Sequence, residues 1–456
     1  MKNGPTYVST TNACKACMPL GACLAFKGVQ GCVPFLHGSQ GCATYMRRYL
    51  ISHYREPVDI ASSSLGEKQA IYGGGPNLKQ GLVNVLNKYQ ASAIGVATTC
   101  LTETIGDDVE GLVREFQRQA KVEGGSAQVP PVIAVSTPSF GGSHLQGFHR
   151  AVAALVAQLA VEAGAPTGKI NLLPGLVSPA DTRYLKEVFS DFGLPVVVLP
   201  DISLTLDGVA KAEYELIPEG GTSLDDIRAM GGSRATLELG RFALPAPSAG
   251  RLLEQRFGLP LTSLTLPLGL RASDALFQCL GDLASRPAPE RHQRERGQLL
   301  DAFVDGHKYL AGTTAVVYGE EDLVLGLCSF LSEIGIQVSL AASGGESPGL
   351  SQAVEAAAEG LMPQAPLVKS GVDFYEIAEE ARRIKPDLII GNSKGYQLAR
   401  ELNVPLVRLG FPIHDRFGAS RLLSLGYRGA LELMDRLVNT ILEKRQADNS
   451  VGYGYL

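Results

Sequence analysis

Apolar residues recur along this chain in two alternating rhythms. Short, densely apolar runs stand at Ala93 to Ala97, Val132 to Ser136, Ile170 to Leu173, Val196 to Leu199, Thr314 to Tyr318, Val338 to Ala342, Leu367 to Val368, Leu388 to Ile390 and Leu406 to Leu409. Their length and composition predict strands. Between them the apolar positions fall three and four apart. One such set is Val109, Leu112, Val113 and Phe116, and another runs through Leu145, Phe148, Val152, Leu155, Val156 and Leu159 within 144–164. The same spacing predicts helices over 180–192, 271–283, 323–334, 350–359, 374–384, 395–402 and from Tyr427 to about Arg445. Strand, helix and strand in succession is the pattern of βαβ crossovers, so the fold class is α/β with mostly parallel, doubly wound sheets. A stretch rich in Gly, Pro and Leu running to Leu270 breaks the rhythm. Pro287 and Pro289, followed by the charged run Glu290 to Arg296, mark a junction. Three domains are expected, over residues 1–165, 166–290 and 291–456.

Composition narrows the partners. At 456 residues and 45% hydrophobic content, core size is not limiting. A net charge of −5, with no run of Lys or Arg longer than two, offers no basic surface for nucleic acid. The N-terminus has no apolar leader, and the longest apolar stretch, Ala151 to Val161, is interrupted by Gln158 and too short to span a bilayer. No membrane partner is expected, and the location expected is cytoplasmic. In a reducing compartment the cysteines read as ligands, buried thiols or reactive groups before disulfides.

Those cysteines are clustered: Cys14, Cys17, Cys23, Cys32 and Cys42 crowd the first 42 residues. Cys42 follows Gly38, Ser39, Gln40 and Gly41, residues that bend easily and bury poorly. The spacing of Tyr45, Met46, Tyr49 and Leu50 then places its thiol near a helix start, a position that favours thiolate. Thiolates beside flexible glycines with free backbone N–H groups suit an iron–sulfur cluster. A zinc site would want a second Cys or His pair to join Cys14 and Cys17, and none stands at the required spacing. Cys100 sits just past the end of a predicted strand, where open parallel sheets place their ligands. Ser139, in the small-residue loop after the next strand, reads as a ligand or donor there, or as a plain turn or capping serine. Taken singly, Cys14, Cys23 and Cys32 read as inert buried thiols, and Cys279 and Cys328 as packing residues on helical faces. His37 is placed to orient the Cys42 loop.

Other motifs are weaker. Gly164 to Lys169 is one residue short of a phosphate-binding loop and continues with Ile170 where Ser or Thr should hold magnesium, so it reads as a turn. No GxGxxG follows a strand, which leaves a dinucleotide without support. Tyr72-Gly-Gly-Gly-Pro-Asn77 and Gly391 to Gly395 read as anion-binding helix starts or plain loops.

Several blocks, in chain order, together resemble the nitrogenase component 1 superfamily. They are Cys17-x-Pro-Leu-Gly-Ala22, His37-Gly-Ser-Gln-Gly-Cys42, Arg55-Glu-Pro57, Thr98-Thr-Cys100 with Ile105-Gly-Asp-Asp108, Thr137-Pro-Ser-Phe140 and Gly410-Phe-Pro-Ile413. Within that superfamily the chain is most similar to the β-type subunits. The resemblance implies three Rossmann-like domains and an α2β2 assembly with a homologous α-type chain, with an iron–sulfur cluster shared across the α/β interface.

Two kinds of β-type chain fit. The run Arg47 to Ser64 and the ending Gly410 to Arg421 look more like the NifN-type scaffold chains. These pair with a NifE-like α-type chain to hold the iron–molybdenum cofactor precursor, mainly on the partner's side, while it matures. Such a complex also meets a reductase iron protein and a precursor donor transiently. The alternative is the catalytic β subunit of molybdenum–iron nitrogenase, which passes electrons through the interface cluster and typically carries extra histidines where Phe417 and Gly418 stand here. The resemblance makes Cys42 a cluster ligand in either case. Cys17 and Cys100 match the catalytic chain's ligands to its eight-iron cluster, and Ser139 matches a serine beside it. No catalytic residue of this chain's own is implied.

Overall fold

The structure is a computed structural model, described over residues 14–123 and 129–451. Among those residues thirteen strands form three sheets, and every strand pair is parallel. The first sheet has the order β2-β1-β3-β4, from β1 (Cys32–His37), β2 (Ala61–Ser62), β3 (Ala93–Thr98) and β4 (Val132–Val135). Around it lie α1 (Met18–Lys27), α2 (Gln40–Tyr54), α3 (Glu67–Tyr72), α4 (Gly75–Tyr89), α5 (Cys100–Ile105), α6 (Val109–Glu123) and α7 (His144–Leu159). All residues of β1, β3 and β4 are buried, as a sheet covered by helices on both faces requires.

The second sheet has the order β6-β5-β7-β8, from β5 (Ile170–Leu173), β6 (Val196–Val198), β7 (Ala235–Leu239) and β8 (Leu261–Leu264). Its helices are α8 (Pro179–Asp191), α9 (Leu224–Arg228), α10 (Ala249–Phe257) and α11 (Leu270–Ala284). The region that reads as irregular up to Leu270 therefore holds two strands of this sheet. Thr236, Glu238, Thr262 and Ser263 interrupt their apolar pattern, and β8, at the sheet's edge, is partly exposed.

The third sheet has the order β11-β10-β9-β12-β13, from β9 (Thr314–Gly319), β10 (Gln337–Ser343), β11 (Leu367–Lys369), β12 (Leu388–Gly391) and β13 (Leu406–Arg408). The helices here are α12 (Glu290–Leu310), α13 (Glu321–Glu333), α14 (Leu350–Ala358), α15 (Phe374–Ile384), α16 (Tyr396–Leu402) and α17 (Gly426–Asp448). One apolar cluster runs without a break from Leu172 and Phe189 through Leu280 to Val317, Leu331 and Leu433, so the second and third sheets share a core. No helix among the described residues is long and apolar enough to cross a membrane.

Register and close helix packing fix the carboxyl edge of the first sheet. The register pairs His37 with Thr98 and Ala97 with Val135, so the loops after β1, β3 and β4 leave side by side there. Helix α1 crosses α7 with backbone against backbone. A Cβ added at Gly21 would lie 1.7 Å from the carbonyl oxygen of His144, and one at Gly147 would lie 1.9 Å from that of Met18. Only glycine permits such an approach.

Candidate cluster site at the carboxyl edge of the first sheet

Three thiols come to this edge, each at the start of a helix. Cys17 is the N-cap residue of α1, Cys42 sits in the first turn of α2, and Cys100 opens α5. The local reasons differ. Pro19 fixes the start of α1, since its missing N–H is not needed there. Ser39 caps α2 by accepting the N–H of Gly41 at 3.2 Å, an interaction that contributes about 1 kcal/mol. At α5 the Thr102 hydroxyl accepts the N–H of Thr99 (3.2 Å) and donates to the carbonyl of His37 (3.0 Å), tying the Cys100 turn to the end of β1.

Cys17 and Cys100 are exposed and Cys42 is half-buried. Burial raises the Cys42 pKa above the ordinary thiol value, and the nearby Cys17 and Cys100 raise it further. A helix start alone therefore does not make Cys42 a ready thiolate, because dehydration and the two neighbouring thiols act against it. Cys17 and Cys100 thus both stand close enough to Cys42 to act on it. No set of three His, Cys, Asp or Glu side chains among the described residues closes to the spacing of a single metal ion. Three thiols spread over a wider patch suit a group of several metal atoms, whose positive charge would favour their deprotonated form.

The surroundings supply positive charge and packing. Lys394, in the loop Gly391 to Gly395 that reads as an anion-binding helix start or a plain loop, donates from Nζ to the carbonyl of Lys15 at 3.3 Å and stands 6.0 Å from the Tyr49 ring centroid. Burial lowers its pKa, while Cys14, Cys17 and Glu320 hold it up. Tyr49 is raised to about 12 by burial, by its hydrogen bond with Tyr45 and, among smaller causes, by Cys17. Cys42, Tyr45 and Tyr49 share one face of α2 by their spacing, and Tyr45 is 60% exposed there instead of in the core. Ser139 begins a single 3-10 turn, Ser139–Gly141, and is half-buried. That turn packs toward Met18, since a Cβ on Gly141 would lie 3.9 Å from Met18 Cε.

The remaining candidates resolve into structural roles. Burial pushes Cys14, Cys32 and Cys328 up to about 12 and Cys23 further still, so all four are inert packing thiols. His37 is buried between Ser63 Oγ (2.9 Å) and Asp107 Oδ2 (3.1 Å), and Asp107 also accepts the N–H of Gly74 at 3.0 Å. The Tyr72 to Asn77 glycine loop thus has its amide already occupied by a carboxylate. Lys169 Nζ is bound to Asp226 Oδ1 at 2.6 Å, which leaves the 164–169 stretch a turn. Lys394, Tyr49, His144 and Glu320 are not legible in the sequence as neighbours of Cys17, because each reaches it from another part of the chain.

Comparison with known proteins bears on the family and the fold. A profile of the family described as nitrogenase component 1 type oxidoreductase matches residues 17–442. The chain is 36% identical over 433 residues to the nitrogenase molybdenum-iron protein beta chain of Clostridium pasteurianum, covering 95% of this chain and 93% of that one. It is 34% identical over 434 residues to the nitrogenase vanadium-iron protein beta chain of Trichormus variabilis, covering 93% and 92%. A solved structure of "Nitrogenase Cp1 at pH 6.5" superposes with a TM-score of 0.94 at 34% identity, over 100% of this chain and 98% of that chain.

Proposed function

Since the chain belongs to the nitrogenase component 1 type oxidoreductase family, we propose that it is the β-type subunit of a nitrogenase. On this reading it holds one side of an iron–sulfur cluster shared with an α-type partner in an α2β2 assembly. The observation that carries the reading is the convergence of Cys17, Cys42 and Cys100 on one edge, close enough for two of them to shift the third. All three are ligands, with the Ser139 hydroxyl beside them. When bound, the cluster supplies one-electron storage and transfer between a reductase protein and the partner's cofactor.

This chain's own residues hold and orient that group. The helix starts at Cys17 and Cys42, together with the Lys394 ammonium, offset thiolate charge. The exposed Tyr45 on the Cys42 helix and Phe140 in the Ser139 turn offer apolar surface for the α-type partner to cover. Ile71 and Tyr72, 77% and 79% exposed at the end of α3 beside α5, offer a second patch, suited to the transient reductase. A division at 1–165, 166–290 and 291–456 follows the three sheets one by one, with the second and third parts sharing a core.

A second reading is the scaffold role, in which a NifE-like partner carries the iron–molybdenum cofactor precursor and this chain completes the interface. Phe417, 82% exposed, and the left-handed Gly418 favour it, standing where catalytic chains typically carry histidines. The complex purified with its α-type partner separates the two. Acetylene reduction with the reductase protein and ATP is expected of the first. Its absence, together with transfer of cofactor to an apo-nitrogenase, would establish the second and overturn the first.

A further inference from the structure

The segment that delivers Cys17 is fixed from an unusual direction. Ala16, the residue before it, gives both of its backbone polar groups to one partner. Its N–H donates to His144 Nδ1 at 3.2 Å, and its carbonyl accepts the N–H of His144 at 3.0 Å. A ring nitrogen that accepts an amide proton carries none itself, so the imidazole hydrogen is on Nε2. Nε2 lies 3.0 Å from Glu320 Oε1 and donates to it. Glu320 belongs to the third sheet, as the N-cap residue of α13, while His144 opens α7 against the first sheet. The two side chains are only 4% and 8% exposed. A buried carboxylate that accepts from Nε2 selects this tautomer, because the other would put two hydrogens face to face at Ala16 and none toward Glu320.

We propose that His144, held in its accepting tautomer by Glu320, is the positioning residue that sets where the Cys17 sulfur stands. This rests on the reading of Cys17 as a cluster ligand. Partners that orient a ligand in this way typically govern how tightly metal is retained. His144 touches no ligand sulfur; it acts through the one peptide unit that precedes Cys17. The third sheet thereby takes part in a site whose thiols all belong to helices of the first.

The test uses the complex co-purified with its α-type partner. His144→Leu removes the acceptor for Ala16. Iron should then be lost to a chelator about ten-fold faster than from the native complex, and the midpoint potential of the interface cluster should shift. His144→Asn, whose side-chain oxygen can take the place of Nδ1, should restore both values toward native. Should His144→Leu fail to assemble, Glu320→Ala replaces it, since it leaves the ring in place but unpinned, with the same two outcomes. Native iron retention and potential in the acceptor-free variant would overturn the proposal. So would equal loss in the Leu and Asn variants, which would mark packing of the ring against Phe411, 5.7 Å away between centroids. A substitution of Cys17 run in parallel separates the premise from the inference. Because a serine oxygen could itself hold iron, the ligand assignment is read from Cys17→Ala in the same assay: full iron there refutes it, whereas loss there beside native behaviour in His144→Leu refutes the positioning role alone.

Discussion

His37 Nε2 meets Asp107 Oδ2 at 3.1 Å, joining the last residue of β1 to the segment between α5 and α6. Asp107 also takes the N–H of Gly74, so one carboxylate ties together three separate stretches of the first sheet's edge. Removing it leaves a buried ring nitrogen and a backbone donor without partners. Asp107→Ala should cost about 2–3 kcal/mol in denaturant unfolding. Asp107→Asn, which keeps an oxygen to accept both, should recover part of that loss. An Ala variant as stable as the native chain would show that the contact does not hold this edge.

The cysteines fall into two groups that replacement by alanine will separate. Cys17→Ala, Cys42→Ala and Cys100→Ala should each lower the iron bound per complex, by elemental analysis, and weaken the interface cluster's paramagnetic signal. Cys23→Ala and Cys32→Ala should leave iron unchanged and lower stability by about 1 kcal/mol, the loss expected from trimming a buried side chain. Unchanged iron in Cys42→Ala would remove the best-supported ligand.

Glycines on two helices should answer to the same substitution with opposite signs. Gly147→Ala would drive a methyl to 1.9 Å from the Met18 carbonyl oxygen, where neither backbone can yield. It should cost about 3 kcal/mol or more and reduce soluble yield. Gly297, inside α12, has nothing within 4 Å of an added Cβ. Gly297→Ala should raise stability by up to about 1 kcal/mol, read as a higher melting temperature.

Buried histidines set an acid limit. Burial pushes His53 down to about 3 and His149 down to about 4, and it lowers His37 as well. These rings are neutral in the fold and bind a proton in the unfolded chain below about 6.5. Their contribution is therefore complete above that pH and is lost as pH falls from there toward the folded values. Asp322, pushed up to about 7 by burial, acts in the other direction, losing stability as pH rises from about 4 to about 7. The clean measurement is thus a difference. The stability of the native chain relative to His149→Asn should shrink by on the order of 1 kcal/mol per pH unit between 6.5 and 4. A difference independent of pH would show His149 to be freely protonated in the fold.

The architecture is readable in the sequence because its signals are local. The helix over Phe374–Ile384 follows from apolar spacing alone and occurs with those bounds, and most strands of the second and third sheets fall within a residue or two of their apolar runs. The strands that escape are those whose pattern is broken. β1 begins in a cysteine-rich stretch and ends in His37, and β7 and β8 carry polar residues inside the sheet. The site divides in the same way. Cys42 is legible from the glycine-rich loop before it and the helical spacing after it, Cys100 from the strand that it follows, and the pairing of β1 with β3 then sets their loops side by side. The contacts of His144 and Lys394 with the segment before Cys17, and of Glu320 with His144, are not, for they span as many as 379 residues of sequence. Nor does a helix start reveal how far burial will raise a thiol, which only the packed surroundings of Cys42 decide.

Cys14 and Cys17 are three residues apart, yet Cys14 is packed among Val316, Tyr318 and Leu340 of the third sheet, while Cys17 caps α1 beside the first. The chain between them works as a short leash. Fully drawn out, it reaches roughly 10 Å, so the two sheets cannot swing apart further than that at this seam without pulling Cys14 from its socket. Any wider opening between the two sheets would therefore have to release Cys14 first.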